Sequence, residues 1–362
     1  MKYNKKNSFL TNIGIILIAV VLSTFFYTSI SASKNSSIKN QNKLKQENQS
    51  EQKQNIKNQA VYTFAPVNIP FHPNLPPFAM YKYIYSYKIS VLSDVKNVEI
   101  LIPIPNNEKE RQYISDFIIN PKPNAFVKIK GNLVAKYKIP ELRAGEYDII
   151  ISGTAQVRTY NIKNAKKLNQ NITPETDVTQ YLLPEKAIES DDPYIISIAQ
   201  EIKGETKEEI VENVYKYIQN NMSYQLTETL SGAKHALMHR IGKCGEYAAI
   251  MVALLRAKNI PARIAIGNIA REYNPSHNWV EVYYSEYGWV TYDPTVAPTI
   301  VKIHAPNGRL IKIEKRYDVS HDNLHYIQSG INAFSPYFLR YSDEYQEETV
   351  SINQDISIIR MD

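Results

Sequence analysis

A single cysteine, Cys244, occurs in the 362 residues. It lies in the stretch "HRIGKCGEYAAIMVALLRAKNIPARI", directly ahead of a run with helical spacing. The first turn of a helix has unpaired backbone N–H groups and a partial positive charge. A thiolate there is stabilised, so its pKa falls and its nucleophilicity at neutral pH rises. An inert structural thiol would sit more naturally mid-helix, on the apolar stripe. One cysteine cannot close an intramolecular disulfide or build a Cys-x-x-Cys zinc site. Gly242 and Gly245 beside it predict room for a substrate backbone to come close.

A nucleophilic thiol needs a base, and the base needs a group to orient it. His277 and Asp293 follow Cys244 in that order. Asp293 would bind one imidazole nitrogen and fix the tautomer, leaving the other to face the sulfur. The Cys244 N–H, at the helix start, is a natural oxyanion donor. Each residue alone has a plainer reading: a surface histidine, an Asp-Pro turn, a buried thiol. The three in this order, on helix, strand and strand, point to thiol catalysis.

These residues need elements to hold them. Ala248, Met251, Val252 and Leu255 fall at i, i+3, i+4 and i+7, a helix ending near Asn259 ahead of Pro261. "ARIAIGNIA" (262–270), "HNWVEVYYS" (277–285) and "WVTYDP" (289–294) alternate as strands, linked by "REYNPS" and "EYG". Packing this helix on these strands gives a helix laid on an antiparallel sheet. Two helices precede it. Asp192-Pro193 starts one, followed by Ile195, Ile196, Ala199 and Ile202. Thr206 and Glu209 form a capping box for the next, with Ile210, Val214, Tyr217 and Ile218 as its stripe.

Upstream, residues 80–165 read as β throughout. In "YKYIYSYKISV" Tyr83, Tyr85, Tyr87, Ile89 and Val91 share one face, and "VEILIPIP" (98–105) and "EYDIIISGTAQVRTY" (146–160) are similar. A small antiparallel sandwich follows from this, with positioning or partner binding as its role. Residues 301–362 contain two more strand-like runs, "GRLIKIEKRYDV" and "EETVSINQDISIIRMD", expected to close one flank of the catalytic sheet.

The segments "GKCGEYA", "NIPARIAIGN" and "HNWVEVYYSEYGWVTYDPT" resemble the transglutaminase-like superfamily, a papain-related fold. Its core pattern is Gly-x-Cys-x-Glu/Asp-Tyr-Ala, then Ile-Pro-Ala-Arg, His-x-Trp-x-Glu-Val and Gly-Trp-x-x-x-Asp-Pro-Thr. The match spans about residues 205–297. It implies an α+β catalytic core (185–300); the all-β sandwich (61–165) before it and the β-rich extension (301–362) after it are read from the strand patterns. It also implies that Cys244 is the nucleophile, His277 the general base and acid, and Asp293 the orienting carboxylate. The calcium sites and upstream tryptophan of the animal cross-linking enzymes do not carry over: both tryptophans, Trp279 and Trp289, follow Cys244. Nor does the zinc knuckle of the peptide glycanase branch. Tyr224 or Gln225 in "NMSYQLTETL" is a candidate second oxyanion donor.

Other residues get plainer expectations. Trp279 and Glu281 share a face with His277 and brace it. Arg263 and Glu246 are expected to pair. His235 and His239 stand i, i+4 but lack the intervening Glu of zinc proteases, so no metal is expected. Tyr273, Tyr283, Tyr284, Tyr287 and Tyr292 read as packing, since the chain has 27 tyrosines.

The N-terminus has Lys2, Lys5 and Lys6, then an uncharged apolar run, then Ser31, Ala32 and Ser33. This reads as a signal peptide or membrane anchor over 1–33 that sends the rest outside. Residues 34–60 are Asn, Gln, Lys and Ser, a disordered tether. Five prolines over 66–77 suggest an extended strap. The net charge of +6 does not signal nucleic acid. The first 60 residues hold nine Lys and two Glu, leaving 33 basic and 34 acidic groups elsewhere. The expectation is an exported, cofactor-free thiol enzyme cleaving amide bonds in peptide or protein substrates at a cell wall or membrane surface. The alternatives are a protein cross-linking acyltransferase and a non-catalytic surface module.

Overall fold

The computed structural model describes residues 74–361 except 109, 169–176, 227–229, 271–275, 307, 320–323, 332–337 and 342–348. The leader, the tether and most of the proline strap lie outside the described residues. No helix among the described residues is long and apolar enough to cross a membrane.

Alternation along the first strand sets the sandwich. In β1 (Ala79–Val91) every second side chain from Tyr81 to Val91 is buried. It is followed by β2 (Val95–Pro103), β3 (Gln112–Asn120), β4 (Ala125–Ile129), β5 (Asn132–Leu142) and β6 (Gly145–Val157). β1 pairs antiparallel with β6, and β6 with β3. β5 lies between β2 and β4. The two sheets share one apolar core built from Tyr83, Tyr85, Tyr87, Ile100, Ile102, Phe117 and Ile151.

Helices follow: α1 (Ile162–Leu168), a short 3₁₀ turn (Thr179–Leu182), α2 (Pro193–Glu201) and α3 (Lys207–Asn221). The Asp192 side chain accepts from the Tyr194 N–H at 2.9 Å, and the Thr206–Glu209 capping box is formed. After β7 (Ser223–Tyr224), α4 (Ala233–His239) and β8 (Ile241–Gly242) comes α5 (Cys244–Ala257). Every residue of α5 from Gly245 to Arg256 is buried. A helix apolar on all sides belongs in the middle of a core. Here α2, α3 and α4 pack on it from one side and the sheet from the other.

That sheet runs β11–β10–β9–β14, from β9 (Ala262–Ile269), β10 (Ser276–Tyr284), β11 (Gly288–Tyr292) and β14 (Tyr326–Ile331), all antiparallel. A separate hairpin, β12 (Thr299–His304) with β13 (Leu310–Arg316), stands between β11 and β14 in sequence. The expected architecture is thus present: an α+β molecule with a helix on an antiparallel sheet, preceded by a β-sandwich.

The C-terminal part departs from expectation. Only β14 joins the catalytic sheet. β15 (Phe338–Arg340) adds to β2, and β16 (Val350–Met361) pairs with β1 along its whole length, Tyr85 opposite Ile356. The sandwich is therefore completed by the end of the chain. Buried Val350, Ile352 and Ile358 supply the reason, since they fill the same core as the β1 tyrosines.

β14 also ties the two halves together. The Gln112 side-chain amide donates to the Gln328 carbonyl at 2.8 Å and accepts from the Gln328 N–H at 2.7 Å. The Asn132 side chain does the same with Ile331, at 2.9 and 2.5 Å.

Candidate active site

Cys244 is the first residue of α5, half-buried. The turn before it is shaped by Glu246, which is fully buried. Its carboxylate accepts from the Lys243 N–H at 3.1 Å and the Ser231 N–H at 3.0 Å. One acid thus satisfies a donor of the helix start and a donor of the preceding loop. Gly242 leaves no room for a side chain: a Cβ there would sit 2.5 Å from the Cβ of Glu246.

His277 projects from the start of β10, its side chain 12% exposed. Its Nε2 donates to Asp293 Oδ2 at 2.7 Å. Asp293 is fully buried just beyond β11. Its Oδ2 also accepts from the Tyr326 hydroxyl at 3.1 Å, and its Oδ1 from the Thr295 N–H at 3.0 Å and Thr295 hydroxyl at 2.6 Å. The carboxylate is held by four donors, so its direction toward the imidazole is fixed.

The other imidazole nitrogen serves the sulfur, and His277 and Cys244 form a hydrogen-bonded pair. Burial alone would lower the His277 pKa. The Asp293 charge, its hydrogen bond and the sulfur outweigh burial and raise it to about 10. For Cys244, burial pushes the thiol up, but the hydrogen bond and charge of His277 and the Asn278 backbone N–H overcome it, and the net shift is downward. The Asn278 side-chain oxygen lies 3.9 Å from the sulfur. Both shifts run toward a thiolate beside an imidazolium, the pairing that thiol nucleophiles use.

The three residues singled out in the sequence thus meet in space. Tyr224 is also at the site: its phenol reaches the Cys244 backbone N–H, and the residue is half exposed. The Gln225 N–H instead binds the Gly242 carbonyl at 2.9 Å. Trp279 and Tyr326 form the wall behind the imidazole, rings 4.7 Å apart, with Trp279 stacked 6.2 Å from His277. Arg263 does not pair with Glu246. It binds Glu281 at 2.7 Å and lies over Trp289, and Glu281 also takes Arg111 from the sandwich. Arg263 and Glu281 sit directly opposite in the β9–β10 register, whereas Glu246 is committed to the helix start. His235 and His239 stack at 4.0 Å, and the His239 Nδ1 bonds the His235 carbonyl.

Tyr326, Asn278 and Thr295 escaped the sequence reading. Thr295 had a signal, because a Thr two residues after an Asp closes a local side-chain turn. Tyr326 had none, since only the fold brings β14 to Asp293.

Residues 196–294 match the family model for the transglutaminase-like superfamily. The chain carries a transglutaminase-like domain. The chain is also similar to curated proteins. It is 39% identical over 71 residues to the uncharacterized protein YebA of Bacillus subtilis, covering 16% of this chain and 10% of that protein. It is 42% identical over 72 residues to a protein-glutamine gamma-glutamyltransferase of Pseudomonas aeruginosa, covering 16% of this chain and 11% of that protein. The chain spans about a tenth of the length of these curated relatives. A solved structure from Cytophaga hutchinsonii, described as a candidate cysteine protease, has the same fold over most of the chain. It superposes with a TM-score of 0.56 at 17% identity, over 79% of this chain and 92% of that one. The likeness therefore covers the sandwich as well as the transglutaminase-like domain.

Proposed function

We propose that this chain is an exported thiol enzyme that acts on amide bonds through a Cys244 thioester. The observation that carries this reading is the Cys244 sulfur at the mouth of α5, hydrogen-bonded to an imidazole that Asp293 holds at 2.7 Å. Cys244 attacks the carbonyl carbon of a peptide bond or a glutamine side chain. The Cys244 N–H, with Tyr224 beside it, faces the oxygen as negative charge develops. His277 gives its proton to the departing nitrogen, which leaves as a neutral amine or ammonia. Water, deprotonated by the now neutral His277, then attacks the thioester, releasing the acid and restoring the thiolate beside the imidazolium. Asp293 stabilises the imidazolium throughout and stays ionised.

Hydrolysis of cell-wall or surface peptides is the primary reading. It is supported by the basic, apolar leader and by the candidate cysteine protease that shares the fold. Amine transfer is the second reading, supported by the similarity to a protein-glutamine gamma-glutamyltransferase. In that case a lysine amine replaces water. The test is to trap the acyl-enzyme on Cys244 and follow its breakdown with and without a lysine analogue. Breakdown unaffected by amine supports the hydrolase. Acceleration with an isopeptide product supports transfer. A folded protein that forms no acyl-enzyme with any donor would favour the non-catalytic surface module.

A further inference from the structure

Among the described strands, β12 and β13 pair only with each other. The base of this hairpin is fastened to α3, where Lys315 Nζ and the Tyr317 hydroxyl both donate to Asn220 Oδ1, at 3.0 and 2.8 Å. A lone two-stranded ribbon is marginal in water. The register sorts its side chains. On one face Val301 lies opposite Glu314 and Ile303 opposite Lys312, and Val301, Ile303 and Glu314 are half-buried. On the other face Ile300 lies opposite Lys315, Lys302 opposite Ile313 and His304 opposite Leu310, with Ile311 at the bulge beside it, and all of these are exposed. Ile300, Leu310, Ile311 and Ile313 are 46% to 61% exposed. Aliphatic side chains this open and gathered on one face mark an interaction surface.

Charge narrows the partner. Residues 61–362 hold 33 basic and 34 acidic groups, yet residues 299–316 hold five Lys or Arg and one acid. That acid, Glu314, lies on the half-buried face, 3.8 Å from Lys312 and 3.5 Å from Arg316. The open face thus mixes aliphatic side chains with Lys302 and Lys315 and carries no carboxylate. This mixture suits an anionic bilayer surface, where aliphatic groups enter the boundary between headgroups and acyl chains and ammonium groups reach back to the lipid phosphates. A second copy docking by the same face would set lysine against lysine. The basic, apolar leader read over 1–33 brings a membrane to the fold.

We propose that the open face of the β12–β13 hairpin docks on an anionic lipid surface. The choice of a membrane rests on the exported, leader-held reading above, whereas the shape and charge of the face do not. β12 begins six residues after Asp293, and the chain returns from β13 to Tyr326, whose hydroxyl binds Asp293. A lipid surface that holds the hairpin therefore holds the catalytic site near it, and favours substrates displayed at that surface. Docking does not depend on thioester chemistry.

The test uses the full chain carrying Ile313→Trp. It is mixed with vesicles of phosphatidylcholine, or of phosphatidylcholine and phosphatidylglycerol in equal parts, with and without brominated acyl chains. Flotation with the neutral vesicles reads the leader. Bromine quenching reads the hairpin, because Trp279 and Trp289 are buried and the parent chain gives their background. In anionic vesicles the introduced tryptophan should shift to the blue and be quenched several-fold more than in neutral ones, and high salt should remove most of that difference. Lys302→Gln should lower the ratio of docked to undocked hairpin about fivefold, the share of one cation at an anionic surface. Ile300→Ser should lower it with the salt dependence unchanged. Equal quenching in neutral and anionic vesicles, or none in either while the protein floats, would overturn the proposal. So would a blue shift that polyglutamate produces without lipid, which assigns the face to an acidic protein, or one that follows protein concentration, which assigns it to a second copy. A chain that does not float with neutral vesicles sinks the leader reading alone. The hairpin is then read by flotation with anionic vesicles, which Lys302→Gln should weaken by the same factor, and a failure to float there overturns the docking.

Discussion

Replacing Asp293 by Asn removes the charge, keeps the shape, and turns one acceptor oxygen into an amide donor. The oxygen that remains can serve Thr295 or the Tyr326–His277 side, not both. The charge is what holds His277 protonated. Two unit charges about 4 Å apart at an effective dielectric near 20 interact by about 4 kcal/mol. That corresponds to about 3 pK units, close to the difference between the ordinary 6.5 and the value of about 10 in the fold. Without it, burial is opposed only by the sulfur, and His277 becomes neutral at pH 7. The thiol then loses the partner that lowers it. Iodoacetamide labelling of Cys244 across pH is the assay. The wild type should label along a limb well below the free-thiol value of about 8.5. Asp293→Asn should label along a limb at or above it, about 10–100-fold slower at pH 7. Turnover should fall about 10²–10⁴-fold, the range for loss of positioned acid–base chemistry. A folded Asp293→Asn protein with the wild-type limb would refute the thiolate–imidazolium pair.

Other perturbations test the supports. Tyr326→Phe removes one donor to Asp293 and should slow turnover about tenfold, a loss of about 1.5 kcal/mol, without unfolding. Glu281→Ala leaves Arg263 and Arg111 buried without their shared carboxylate, and should cost about 3–5 kcal/mol in urea unfolding. Glu246→Ala orphans the N–H groups of Lys243 and Ser231 and should cost about 1–3 kcal/mol, with slower Cys244 labelling because the helix start loosens. Stability should also depend on pH through His277. Its folded pKa is raised, so its contribution is full below about 6.5 and fades as pH rises through about 10. Chemical denaturation should show the wild-type advantage over Asp293→Asn shrinking across that window.

The catalytic half was legible because its chemistry and its periodicity coincide. Cys244 opens a helical run, and His277 and Asp293 sit at the ends of alternating strands one short turn apart, so local pattern places them on neighbouring elements. Long-range choices were not legible. Alternation in β16 says strand, but nothing in it names β1 as partner. Only the shared core of tyrosines and isoleucines makes that pairing favourable. Arg263 had two acids available by sequence, and cross-strand register decided for Glu281. β14 brings Tyr326 to Asp293 and Gln328 to the sandwich. His325, just ahead of it, shares a 2.9 Å hydrogen bond with Tyr81 of β1, another tie between the halves.

Intact-mass and peptide-mapping mass spectrometry of the protein after brief incubation with a peptide digest tests the central claim most directly. The account predicts an acyl group on Cys244 that is lost on treatment with hydroxylamine and is absent from Cys244→Ala. Its accumulation should fall sharply in His277→Ala. A folded, thiol-intact wild type that never carries an acyl group, or an adduct formed equally well without His277, would contradict it.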